Sequence, residues 1–522
     1  MQPHAAVPHS SAAGRSLYAE AVAHARRGAV LSSVEALLGW DEQVLLPTAA
    51  GPHRAEQVAA VAAVVHGSRT DPAQGERLEE LSRLTADGGD WTTDEQATVH
   101  LLLRDHRKHV RLPARLVAEI AGACIDGQQA WAEARRTSDW SLLAPSLKRI
   151  FALKREQAAC QNPDLDPYDA LLDDYEPGAR AGEVAGLFDR LRPKIVALVR
   201  ACDSSPSRPD DGILHHHVPR DVQDRFVRDV AGRIGYDFTR GRLDTSTHPF
   251  CSTTGPHDCR LTTRWDEQFL PTALFGVLHE AGHGLYEQGL PPESFGLPGG
   301  EATSLGIHES QSRLWENLVG RSLPFWEWCL PHARTAFPGV FAASSPEIVQ
   351  RALLAVQPSL IRVEADEVTY NLHVMIRFDL ERSLVRGDLS VADLPAAWDE
   401  RYERDFGLRP PTPTEGVLQD IHWSAGLIGY FPTYTLGNVF AAQLMAAAER
   451  DLPSLAEDIA AGRFASLLEW LRLRVHRHGR LRDSGALVVE ATGMPVSEQW
   501  LLESLWRRYG PAHGLAASLA PG

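Results

Sequence analysis

The sequence predicts a mostly α-helical chain folded as one large domain, with a single small patch of β-structure. Three observations carry that expectation. Apolar residues recur at helical intervals along most of the 522 residues. Only one stretch, Arg240 to Arg264, is rich in Thr, Ser, Gly and His, and it holds the plausible strands, around Cys259 to Trp265. No internal repeat or low-complexity segment interrupts the pattern, and 44% hydrophobic against 23% charged residues is ordinary globular usage with material for a substantial core. The expected boundaries are a disordered tail over 1–14, the domain over 15–510 and a second tail over 511–522.

Taken in order, Arg15 to about Trp40 reads as helix through Leu17, Ala21 and Val22, broken by Trp40-Asp41-Glu42 and Pro47. His53 to His66 resumes it, and Trp91 to Val110 and Leu112 to Arg136 follow, the latter opened by Pro113 where proline is tolerated. Asp139 can cap a helix carrying Leu147, Ile150, Phe151 and Leu153. Asn162 to Gly178 reads as loop, Ala181 to Ala201 as helix, and Cys202 to Asp211, rich in Ser, Pro and Asp, as the best linker candidate. His215, His216 and His217 read as an exposed loop, because adjacent side chains on a regular element cannot all face one ion. Val222, Phe226, Val230 and Ile234 mark another amphipathic helix. Beyond Leu290–Gly300, a Gly/Pro loop, helical pattern runs to Arg507, interrupted by Leu408 to Glu415 and a turn at Phe431-Pro432.

The formal charge of −16 argues against a nucleic-acid-binding surface, so an anionic substrate needs a local cationic pocket. No apolar run spans a bilayer, and the N-terminal residues lack the pattern of a secretion signal. Six cysteines without a CxxC pair suit a reducing compartment, the cytoplasm.

One stretch carries specific chemistry. Within Val277 to Tyr286, His279-Glu280-Ala281-Gly282-His283 reads His-Glu-x-x-His. On a helix, His279 and His283 share a face one turn apart, a spacing that suits one zinc ion, with Glu280 placed to handle the proton of an attacking water. Zinc in hydrolytic sites takes three protein ligands and keeps a position open. Glu309 lies 26 residues past His283 (309 − 283), on an expected helix across the Gly/Pro loop, with His308 and Glu301 as competitors for the third place. Gly282 and Gly284 each cost about 1 kcal/mol inside a helix, which suggests close approach of another backbone or a substrate. Between Pro358 and Leu384, Arg362, Asp366, Thr369, His373 and Arg377 form a polar stripe opposite an apolar one. It reads equally as a solvated face with an Arg362–Asp366 pair or as the lining of a wet cleft whose arginine can grip a carboxylate.

Five separated signatures resemble the carboxypeptidase Taq family of zinc metallocarboxypeptidases: His248-Pro249-Phe250, Asp258-Cys259-Arg260-Leu261-Thr262, His279 to His283, His308-Glu309-Ser310-Gln311 and Gly416-Val417-Leu418-Gln419. The resemblance extends to Trp40-Asp41, Asp166 to Leu172 and Ile361 to Asp366, and so covers about residues 15 to 508. It implies a mostly helical peptidase fold with a deep groove ending at the metal and a small β-sheet beside it. It implies His279, His283 and Glu309 as ligands of one Zn2+ per chain (Co2+ or Mn2+ able to substitute), Glu280 as general base, and a homodimer. The implied reaction is hydrolysis of the C-terminal peptide bond, releasing single amino acids from peptides with a free C-terminal carboxylate; no nucleic acid or membrane is an expected partner. Arg362, then Arg260, are the candidates for reading that carboxylate. Tyr430, Tyr434 and His422 are candidate oxyanion donors, and His248 and Gln419 complete the candidate substrate-binding set. The alternatives are a zinc oligopeptidase cutting inside short peptides, and a non-catalytic peptide-binding scaffold.

Overall fold

The computed structural model describes residues 12–86 and 89–516. Two helical hairpins lead: α1 (Ala12–Val44) against α2 (Gly51–Arg69), and α3 (Pro72–Ala86) against α4 (Thr93–Val110). Ala21, Leu78, Leu81, Trp91, Val99 and Leu103 give this part a small core of its own. α5 (Ala114–Thr137) and α6 (Trp140–Gln161) form a further hairpin, followed by α7 (Pro167–Leu172), α8 (Ala181–Ser204) and α9 (Arg220–Arg233). Three strands come next, β1 (Gly241–Thr245), β2 (Cys251–Thr253) and β3 (Cys259–Thr263). Then α10 (Pro271–Glu287) and α11 (Leu305–Arg313), the latter continued by a π-helical turn, Leu314–Val319. The remainder is α12 (Leu323–Ala336), α13 (Pro346–Ala352), α14 (Glu367–Arg386), α15 (Leu394–Phe406), α16 (Pro432–Asp451), α17 (Leu455–Ala460), α18 (Ala465–Arg474), α19 (Ser484–Thr492) and α20 (Gln499–Ala512). One core cluster extends from Leu116 on α5 to Ala512 on α20.

The strands form a sheet in the order β1-β3-β2, with β1 parallel and β2 antiparallel to β3. α10 packs against it: Leu261 is fully buried, and a Cβ at Gly284 would lie 3.1 Å from the Leu261 side chain and 2.8 Å from Tyr236. The fold class is therefore the expected one, mostly helical with a small sheet.

Several local expectations need correction. α1 does not break at Trp40-Asp41-Glu42 but runs to Val44, because Trp40 is an anchor: its buried ring receives the guanidinium groups of Arg260 and Arg242 at 4.3 and 5.0 Å. The helix starts at Ala12; residues 1–11 and 517–522 of the expected tails lie outside the described residues. The loop Asn162–Gly178 contains α7, started by Asp166, which accepts from Tyr168 N, and by Pro167 in the first turn. Cys202–Asp211 is not a linker. Ser205 Oγ donates to His513 O at 2.6 Å and Arg351 to Ser207 O at 2.8 Å, so the segment is bound to the rest of the chain.

The largest correction lies between Pro358 and Leu384. α14 begins only at Glu367, and Asp366 is its N-cap, accepting from Val368 N and Thr369 N at 2.9 and 3.0 Å. Arg362 sits in the preceding 3-10 turn, so the Arg362–Asp366 helical pair does not form. Within α14 the stripe is neither solvated nor wet, since Thr369, His373 and Arg377 are fully buried. The non-helical stretch expected at Leu408–Glu415 extends to the start of α16 at Pro432, through Gly426 and Gly429 with φ of +74° and +92°.

Gly282 marks the tightest contact relevant to the site. A Cβ there would stand 2.6 Å from both Gln311 O and Ser312 Cα, so α10 and α11 touch backbone to backbone. Gly282→Ala is expected to cost about 1–3 kcal/mol, the usual cost of overpacking, as a lowered denaturation midpoint.

Candidate metal centre and substrate cleft

α10 is buried on nearly every side, which suits a helix packed between sheet, α9 and α11. His279 and His283 project from it toward α11, one turn apart. α11 is started by Ser304, whose hydroxyl accepts from Ile307 N at 3.0 Å, and by buried Glu176, which accepts from Gly306 N at 3.0 Å. It is pressed on its other side by α16: a Cβ at Gly437 would lie 2.6 Å from Glu309 Cγ. Between these two glycine contacts α11 presents Glu309 to the imidazoles.

Glu309 Oε2 lies 3.7 Å from His279 Nε2 and 3.5 Å from His283 Nε2, and the three ligand atoms fall within 4.8 Å of one another. Tetrahedral ligands about 2.0–2.2 Å from an ion stand roughly 3.3–3.6 Å apart, so the trio fits a small divalent metal with slight contraction. The other ring nitrogens are already engaged. His279 Nδ1 faces Glu316 Oε2 at 2.8 Å and His283 Nδ1 faces His308 O at 3.0 Å. Such acceptors place the proton on Nδ1 and leave the Nε2 lone pair for a metal. The histidine side chains retain 20% and 13% exposure against 8% for Glu309, so one side of the trio stays open. A metal site of this kind, His-His-Glu, fits the residues present.

Glu316 reaches His279 from within the π-helical turn, whose wider winding belongs to the kind of helix irregularity often found at functional sites. Arg313 lies between the two acids, donating to Glu309 Oε1 at 2.7 Å and Glu316 Oε2 at 3.2 Å. Burial opposes both charges, yet Arg313 and the imidazoles hold the Glu309 carboxyl far below the carboxylate range and Glu316 down to about 2. Burial lifts the Glu280 carboxyl to about 7, and a cation at the trio would draw it down again. Replacing Glu316 by Gln keeps a polar group beside His279 but removes its charge. Metal affinity is expected to fall by about 10–100-fold, measured by competition with a chromogenic chelator.

The competitors for third ligand are occupied elsewhere: His308 Nε2 meets Glu287 at 2.9 Å and Glu301 pairs with Arg480 at 2.8 Å. His308 also stacks on His283, centroids 4.4 Å apart. It borders a cleft of about 930 Å³ that Tyr175, Arg104, Thr253 and Glu287 also line, so the cleft ends one ring away from His283.

A buried cationic group stands across Tyr370 from Arg313. Arg362 Nε and Nη2 donate to Asp420 Oδ1 at 2.9 and 2.8 Å, while Arg377 donates to Asp420 Oδ2 at 2.7 Å. Two guanidiniums on one carboxylate leave a net charge of about +1 in a setting where burial, then Arg362, depress His422 to about 4 and keep it neutral. Tyr370 connects this group to the metal end, accepting from Arg362 Nη1 at 3.1 Å while Arg313 lies 4.5 Å over its ring. Tyr434 faces His422 Nε2 at 3.3 Å, and Tyr430 packs on Tyr434. Burial raises both phenols, with Glu309's charge contributing.

Of the remaining candidates, Arg260 and His248 are placed apart from this group, while Gln419 supports it through the backbone. Arg260 is bidentate on Asp258, at 2.8 and 2.7 Å, and stacks on Trp40. His248 is exposed on the β1–β2 loop. The Gln419 amide is consumed by backbone, accepting from Arg362 N at 3.0 Å and donating to Leu360 O at 3.0 Å, which fixes the turn carrying Arg362. Asp420, Tyr370 and Arg313 were not among the candidates. Arg313 was legible as the cation four residues after Glu309 and three before Glu316; Asp420 offered no signal beyond its neighbours.

The family description "Carboxypeptidase Taq (M32) metallopeptidase" matches residues 20–509. The chain belongs to this family. As a carboxypeptidase Taq family member it is a peptidase, with peptides as substrates and a metal ion implied. "Thermostable carboxypeptidase 1" of Thermus thermophilus is 44% identical over 502 residues, 94% of this chain and 97% of that protein. "Carboxypeptidase 1" of Bacillus subtilis is 34% identical, over 92% of this chain and 95% of that one. The crystal structure of the M32 carboxypeptidase from Deinococcus radiodurans superposes with a TM-score of 0.92 at 40% identity, covering 96% of this chain and all of that one.

Proposed function

We propose that the protein is a zinc-dependent carboxypeptidase that removes single amino acids from the C-terminus of peptides. The observation that carries this reading is the pairing, through Tyr370, of the His279–His283–Glu309 trio with the buried Arg362–Asp420–Arg377 group. A metal-ligand set beside a fixed positive charge suits a substrate whose scissile bond lies one residue from a carboxylate. When bound, the metal supplies Lewis acidity, lowering the pKa of water and polarising a carbonyl.

The chain's own residues do the rest. Arg362, held in orientation by Asp420 and Gln419, takes the terminal carboxylate. Glu280, buried one residue from His279, receives the proton of the attacking water and returns it to the leaving amine. Tyr430 and Tyr434, protonated at neutral pH, donate to the developing oxyanion. The cleft beyond His308 holds the N-terminal part of the peptide. The homodimer, which rests on the resemblance, and the cytoplasmic location, which rests on six cysteines without a CxxC pair, belong to the same proposal; among the described residues no helix is long and apolar enough to cross a membrane.

The test is product analysis on an N-blocked peptide, before and after chelation and after return of Zn2+, Co2+ or Mn2+. Stepwise loss of single C-terminal residues, abolished by chelation and restored by metal, is the expected outcome. Internal fragments would replace this reading with an oligopeptidase. Metal-independent binding without cleavage would replace it with a scaffold.

A further inference from the structure

Cys251 and Cys259 meet across the β2–β3 pair with their Sγ atoms 3.5 Å apart. The register pairs Cys251 with Leu261 and Cys259 with Thr253, so the cysteines are diagonal neighbours on one face of the sheet, the face that α10 covers. Both border the cleft that reaches His308. Cys251 is half-buried, and Cys259, 2% exposed, directs its thiol toward the carbonyl of Gly284 at 4.0 Å. The other four cysteines, Cys124, Cys160, Cys202 and Cys329, belong to four different helices, α5, α6, α8 and α12.

We propose that Cys251 and Cys259 form a reversible thiol–disulfide site for low-molecular-weight disulfides, and that closing it slows peptide hydrolysis. A disulfide brings its sulfurs to about 2.05 Å. Closure from 3.5 Å thus needs a shift shared between two side chains on adjacent strands. That shift takes the Cys259 thiol off the carbonyl of Gly284, the residue after His283, and draws the edge strand β2 inward on the cleft wall. The effect on hydrolysis rests on the function proposed above; the cross-link does not.

The chemistry balances without a further reactant. The contact with Cys259 and burial push the Cys251 thiol up, so its minor thiolate fraction attacks one sulfur of the incoming disulfide, forming a mixed disulfide and expelling one small thiolate, which takes up the proton that Cys251 gave up. The Cys259 thiolate then attacks Cys251 Sγ, forms the internal bond and expels the second small thiol. Two protein thiols are oxidised, one small disulfide is reduced to two thiols, and two protons pass from protein to leaving groups. Cys251 is the entering residue because it is the more open to the cleft.

The experiment uses the metal-loaded full-length protein, incubated with oxidised glutathione over a range of ratios to reduced glutathione, then alkylated and peptide-mapped. The expected result is loss of two of the six thiols, a single linked peptide pair holding Cys251 and Cys259, and reversal by dithiothreitol. Cys259→Ser should trap glutathione on Cys251. The ratio of hydrolysis after to before oxidation should fall in step with the linked fraction, and should stay at one in Cys251→Ser. Absence of the linked peptide, or glutathione remaining on Cys251 in the natural protein, overturns the site. Full activity in a fully linked sample overturns its effect. If the peptidase reading itself fails, hydrolysis is missing in both redox states while the peptide map still decides the cross-link.

Discussion

Glu280→Gln lowers kcat by about 10²–10⁴-fold, the usual contribution of a positioned general acid–base group, while metal content stays unchanged. The substitution is nearly isosteric, and the metal contacts fall to His279, His283 and Glu309. It also removes a carboxyl whose burial disfavours its charge, so the fold has no reason to weaken. What disappears is the ability to accept a proton. In the natural protein, turnover rises with pH until the Glu280 carboxyl is deprotonated; burial, opposed by the His279 charge, places that point near 7 and a bound cation moves it lower. The variant loses this acid limb together with the rate. Stopped assays on metal-saturated protein from mildly acid to mildly alkaline pH check both, and a variant with natural turnover would remove Glu280 from the mechanism.

Arg362→Ala should abolish the distinction between free and amidated C-termini. Removing one partner of a buried, charge-assisted contact costs about 2–4 kcal/mol, roughly 30- to 1,000-fold in kcat/KM on free-acid peptides. Amidated peptides, which bring no carboxylate, should be nearly unaffected. The surroundings make the variant interpretable, since Asp420 keeps its bond to Arg377 at 2.7 Å and is not left as an unpaired buried charge. Unchanged discrimination would assign the carboxylate to another cation and exclude Arg362 from that role.

The parts of this arrangement that depend on helical period could be read from the chain. His279 and His283 announce themselves because four residues make one turn; Glu309 competes with His308 and Glu301 on the local pattern, and only the resemblance singles it out. Other parts depend on contacts between distant irregular segments. Asp420 meets Arg362 across 58 positions, from a non-helical stretch whose length the proline-rich Leu408–Glu415 only hinted at. The apparent stripe from Arg362 to Arg377 misled because a period of three to four continues by chance across an N-cap. Asp366 ends that period by its bonds to Val368 and Thr369, and a single sequence does not distinguish such a cap from a helical interior residue. The π-helical turn that carries Glu316 is likewise invisible, because it changes the winding and not the composition.

The two glycine contacts that clamp α11 determine where this chain can tolerate a change of length. With Gly282 against Gln311 and Ser312 on one side and Gly437 against Glu309 on the other, the helix has no free direction in which to slide. One extra residue inside α11 ahead of Glu309 would turn the carboxylate about 100° around the helix axis, out of reach of both imidazoles. The same residue added between Pro292 and Glu293, the exposed part of the preceding loop, would leave the phase of α11 unchanged. A change of length is therefore confined to the exposed part of that loop, while the phase of the acid on its own helix is fixed by backbone contact on both sides.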